Sequence, residues 1–143
     1  MQRIDSLLEN YRTLIDSVDG WFNRCLEAGG DRLACRSGCD ACCRSLFDIS
    51  LLDAWLLQDG FCRLPQATRQ KVLARCEERR QQLQQRWPEL QSPFLLNGMP
   101  EDEWSQTAED DETPCPLLDE NGLCRVYAFR PLICRLHGLA NID

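Results

Sequence analysis

Apolar residues Ile4, Leu8, Tyr11, Ile15, Val18, Phe22 and Cys25 recur in alternating steps of four and three, and Leu7, Leu14 and Trp21 widen the stripe. That spacing predicts an amphipathic helix over 4–26, stopped by Gly29-Gly30. Cys25 continues the stripe and reads as a small buried hydrophobe. The heptad spacing also allows helix 4–26 to form the seam of a homodimer, although packing against the chain's own core is the favoured use.

Ser50 is a good N-cap for a short helix from Leu51 to about Gln58, with Asp53 in its first turn and Asp59-Gly60 ending it. Pro65 opens a third helix, 65–87, before Pro88. Its apolar face is thin, comprising Val72, Leu73, Cys76, Leu83 and Trp87, and it places Cys76 in the core. Residues 93–114 read as an acidic loop, rich in proline and in runs such as Glu109-Asp110-Asp111-Glu112. Asn121-Gly122 predicts a β-hairpin with strands over 116–119 and 123–127. Pro131 then opens a short helix that carries Cys134 and His137 and stops at Gly138, so that hairpin and helix fill 115–138. The expected fold is mainly α: one small helical domain over 1–143, with one β-hairpin and cysteine-rich loops pinned by metal.

Charge narrows the partners. A net charge of −7 on 143 residues argues against nucleic acid held through phosphate contacts, which needs a basic face. No apolar run is long enough to span a bilayer, so no membrane partner is expected. The N-terminal MQRIDSLLEN has no basic start and no apolar run of the secretory kind, and the expected compartment is the cytoplasm.

The ten cysteines change the picture most. In a reducing compartment clustered thiols point to metal or catalysis rather than to disulfides. One set, Cys35, Cys39, Cys42 and Cys43, occupies residues 35–43; the other is Cys115, Cys124 and Cys134, with His137, the sole histidine, three residues on. Gly38 and Asp40 bracket Cys39 in a predicted tight turn. Thiolates and imidazole bind zinc, iron or clusters of iron and sulfur, and eight ligands are the number that two tetrahedral sites require. Adjacent Cys42 and Cys43 point different ways on most backbones and suit two different metals, or one ligand and one bystander. Arg36, Arg44, Arg125, Arg130 and Arg135 stand near the cysteines in sequence, where their guanidinium groups could hydrogen-bond sulfur. No Ser/His/Asp set, phosphate-cradling glycine loop or dinucleotide fingerprint is present. A binding protein is therefore favoured over an enzyme, and no catalytic residue is assigned. A Cys₃His-type set favours zinc over iron.

Two stretches resemble the bacterial CxxCxxCC, or YkgJ-type, cysteine-cluster family. The first is Cys35-Arg-Ser-Gly-Cys39-Asp-Ala-Cys42-Cys43 with Phe47-Asp-Ile-Ser-Leu-Leu-Asp53; the second is Cys115-Pro-Leu-Leu with Cys124-Arg-Val-Tyr127-Ala-Phe-Arg130-Pro131-Leu-Ile-Cys134-Arg135. Three residues separate Cys35 from Cys39, where the family pattern has two. The resemblance implies chelation of zinc or iron. The alternative is an iron–sulfur electron-transfer protein or a metal-dependent enzyme, and a similar cluster in flagellin lysine N-methylases bears on the enzyme alone. No methyl-donor-binding signature accompanies it in this chain.

Overall fold

The computed structural model describes residues 2–30, 38–44, 46–95, 100 and 111–137, with the backbone alone at Gln2 and Arg3. Cys35, Arg36, Gly138 and most of the predicted acidic loop lie outside the described residues. The elements are α1 (Gln2–Gly29), a 3₁₀ turn at Ala41–Arg44, α2 (Leu51–Cys62), α3 (Gln66–Arg86), a 3₁₀ turn at Tyr127–Phe129 and α4 (Leu132–Leu136).

The first helix buries Tyr11, Ile15 and Phe22, the face its periodicity selects, and leaves Ile4, Leu7, Leu14 and Trp21 exposed. Tyr11 and Ile15 pack with Leu56 of α2, and Leu52, Phe129 and Leu132 close the cluster. Helix α2 starts where predicted. Ser50 Oγ accepts from the N–H of Asp53 at 3.1 Å, and the Asp53 carboxylate returns to the Ser50 N–H at 3.1 Å. This is a reciprocal capping box with aspartate in the glutamate position.

Helix α2 runs past its expected stop. Gly60 is buried inside it, and a Cβ there would lie 2.6 Å from Cβ and Cγ of Phe129. The glycine makes room for an aromatic ring rather than ending the helix. Cys76 also departs from expectation: it is exposed, while Val72 alone of α3 is buried. The long polar helix is held through its ends and edges, with Arg75 Nη1 donating to the Leu118 carbonyl at 2.9 Å and buried Trp87 just beyond its last turn.

The predicted β-hairpin is not formed, and the described residues contain no strand. Asn121-Gly122 does reverse the chain, with Gly122 at φ +75°, a conformation glycine adopts without strain. Only an isolated antiparallel bridge between Leu118 and Cys124 follows. The reason is where the backbone groups go. Asp119 Oδ1 takes the N–H groups of Asn121 and Leu123, each at 2.8 Å, in a side-chain turn. Pro114 and Pro116 have no N–H to give. The Cys115 N–H donates to the Cys43 carbonyl at 2.7 Å, and the Leu118 N–H to the Cys115 carbonyl at 3.1 Å. After Arg125 the chain winds into the 3₁₀ turn. Two cross-chain bonds remain, from the Asp119 N–H to the Leu123 carbonyl at 2.9 Å and from the Arg125 N–H to the Leu117 carbonyl at 3.0 Å, and the pairing extends no further.

Two polar hubs fix the C-terminal segment on the helices. Asp53 accepts from Tyr11 Oη, from Ser50 Oγ at 2.7 Å and from the Leu132 N–H at 2.7 Å, joining α1, the start of α2 and the start of α4. Arg135, 2 % exposed, pairs with Asp19 of α1 and donates to the carbonyls of Arg130 at 2.9 Å and Ala128 at 2.7 Å.

Candidate metal centre

These hubs set Cys124 and Cys134 against the short turn Ala41–Arg44. Six thiols from the two sequence-distant sets, those of Cys39, Cys42, Cys43, Cys115, Cys124 and Cys134, line one cavity of about 240 Å³. Its remaining wall is largely apolar, with Phe47, Ile49, Leu57, Leu117, Tyr127 and Pro131, and among the described residues Arg130 brings the one charged side chain. Cys39 is exposed and the other five are half-buried. His137 caps the C-terminus of α4 and stands beside the cavity rather than in its wall. Its ring centroid lies 6.2 Å from that of Phe47. Cys25 is half-buried on α1, and Cys62 and Cys76 are exposed elsewhere.

The thiols perturb one another. A hydrogen bond from the Cys43 thiol outweighs burial and draws Cys42 down to about 6, helped by the charges of His137 and Arg130. Cys43 is raised, by giving that hydrogen bond, by burial and by the neighbouring sulfurs. Burial raises Cys115 and Cys124, and burial together with the charges of Cys115, Cys42 and Cys124 pushes Cys134 up to about 12. One thiol sheds its proton easily, and the crowd then resists further ionisation. A cation among them reverses that logic, because a coordinated thiol is deprotonated outright.

The residues suit a thiophilic metal in kind: soft sulfur donors, a neighbouring imidazole, a largely apolar wall, and a guanidinium whose Nε is buried. As the side chains stand, no three of the described His, Cys, Asp and Glu residues are gathered closely enough to hold an ion. Closing on a metal requires the thiols to turn inward within the cavity they share.

An apolar groove of about 580 Å³ between α2 and α3, lined by Trp55, Phe61, Leu73 and Cys76, shares Ile49, Leu57, Cys115 and Leu117 with the thiol cavity. The sequence reading missed the aromatic wall of Phe47 and Tyr127. It also missed the part Tyr11 and Asp53 play in seating α4. A capping aspartate and a stripe tyrosine carry no sequence signal that they will meet.

Among the described residues no helix is long and apolar enough to cross a membrane. No curated protein and no solved structure matches the chain. A family pattern does, over residues 34–142, which takes in both cysteine sets and the elements between them. With three-quarters of its length matched, the chain belongs to the CxxCxxCC family of proposed zinc- or iron-chelating domains.

Proposed function

We propose that this protein binds zinc through the thiolates of Cys39, Cys42, Cys43, Cys115, Cys124 and Cys134, with Cys35 and His137 completing the set, and that it holds the metal rather than using it in catalysis. The observation that carries the reading is the convergence of six thiols from two distant stretches on one cavity. Seven thiolates and an imidazole supply the eight donors of two closed tetrahedral sites, and closed sites hold structure or store metal. The described wall offers no acid–base pair beside the thiols, which favours the holding role over an enzyme.

The cavity's size favours one second reading, an iron–sulfur cluster used in electron transfer, since the space exceeds what a single ion fills and Cys₄ ligation serves either. Elemental analysis with a visible spectrum, on protein purified without oxygen, separates them. A colourless protein with about two zinc per chain is the expected result. A brown protein with stoichiometric iron and sulfide, bleached by reductant, would replace zinc with the cluster. Protein with neither metal would remove both.

A further inference from the structure

Five arginines flank the cysteines in sequence, and the structure separates them. Arg44 pairs with Asp40 at 2.8 Å, and Arg125 with Glu120 at 3.1 Å. Arg135 is committed to Asp19 and two carbonyls. Arg36 lies outside the described residues. Arg130 is different. Its side chain is 17 % exposed, it lines the thiol cavity, and its Nε is buried without a hydrogen-bond partner among the described residues. Its Nη2 makes only a long ion pair, 3.9 Å from an Asp19 oxygen that lies beyond hydrogen-bond range. The guanidinium lies 3.7 Å over the Tyr127 ring, which fixes its plane.

A buried donor with no acceptor needs a reason. Beside six thiols the reason is sulfur. We infer that Arg130 is the internal cation of the thiol cavity, a positioning residue whose Nε–H donates to a metal-bound thiolate and offsets its charge. This rests on the metal-binding reading above. A thiolate-rich site carries net negative charge even with divalent metal present, and buried charge is costly unless it is paired and hydrogen-bonded. Arg130 supplies both, held in place by the stack on Tyr127 and by the following Pro131. Outer-shell donors of this kind typically govern metal affinity by about 10- to 100-fold.

The test uses Co²⁺ as the probe on the full chain, because sulfur-to-cobalt charge-transfer absorption reports the electron density on the thiolates. In Arg130→Met, Co²⁺ affinity measured against a competing chelator should fall about 10- to 100-fold, and the charge-transfer band should move to longer wavelength as the sulfur loses its donor. Arg130→Lys should recover part of the affinity through its charge but not the band position, because the ammonium cannot present the planar Nε–H. Arg44→Met, at a surface pair, should change neither. A folded Arg130→Met protein with wild-type affinity and an unmoved band overturns the inference. If Arg130→Met does not fold by circular dichroism, Arg130→Lys decides: a shifted band supports the inference and a wild-type band overturns it. Failure of the wild-type chain to take up Co²⁺ would instead overturn the metal-binding reading itself.

Discussion

The backbone N–H of Cys115 donates to the carbonyl of Cys43 at 2.7 Å, and this bond ties the second cysteine set to the first. Around it the C-terminal segment has few main-chain anchors. Its hairpin is reduced to one bridge, and its short helix α4 is seated mainly by the side chains of Asp53 and Arg135. Metal bonds across the cavity would add the missing cross-links. Because donors so far apart in sequence are not preassembled in the unfolded chain, metal binding should be coupled to folding.

Removal of metal by a strong chelator should therefore lower the thermal midpoint and open residues 111–137 first. Amide exchange at Leu118, Arg125 and Leu132 should accelerate well before exchange in the middle of α1. Equal protection in the metal-loaded and metal-free forms would count against the coupling.

Single substitutions sort the thiols. Cys42→Ser and Cys134→Ser remove donors from the shared cavity and should lower zinc affinity at least about tenfold. Cys62→Ser and Cys76→Ser lie outside that cavity and should keep the wild-type zinc content, measured by mass spectrometry under non-denaturing conditions. Loss of metal in the second pair, with retention in the first, would place the centre elsewhere.

What the sequence made legible was periodic or chemical. The stripe of α1 selected Tyr11, Ile15 and Phe22 as its buried face, and the paired cysteine sets pointed to one site. What it hid was competition for partners. Asn121-Gly122 announces a turn correctly, but Asp119 captures the N–H groups beyond it, and prolines withhold those before it, so a turn without strands results. Gly60 carries the sign of a helix stop, yet the helix continues because Phe129, distant in sequence, needs the space. Cys76 lies on an apolar stripe too thin for core, and it faces an open groove instead. The Gly60 miss is a tertiary contact overriding a local preference, whereas the hairpin is lost to local side-chain competition for backbone groups.

Gly60 gives the next prediction. Alanine is the better helix former by about 1 kcal/mol in an exposed helix. Here its methyl would sit 2.6 Å from the Phe129 ring and displace the 3₁₀ turn that leads into the second cysteine set. Overpacking of this kind costs about 1–3 kcal/mol. Gly60→Ala should therefore destabilise the chain in urea titration and, by moving Phe129, also weaken metal binding. A gain in stability would mean that the turn can shift freely.

The pair Tyr11–Asp53 gives a prediction with a pH signature. Burial alone would raise the Asp53 carboxyl, but the hydrogen bonds from Tyr11, the Leu132 N–H and Ser50 outweigh it and hold the group below its ordinary value of 3.8. Burial and the same bond push the Tyr11 phenol up to about 12 from 10.0. For the carboxyl, lowered on folding, the stabilising contribution is present above about pH 4 and is lost as pH falls through the folded value. For the phenol, raised on folding, it is present below pH 10 and is lost as pH rises towards 12. Tyr11→Phe removes a hydrogen bond to a buried charge and should cost about 1.5–3 kcal/mol at neutral pH. The gap between wild type and variant, measured by urea denaturation at a series of pH values, should be flat from about pH 5 to 9 and narrow on both sides. Comparing the two proteins cancels the titration of the cysteines, which they share. A gap that stays constant down to pH 3 would show that the phenol and the carboxylate do not depend on each other.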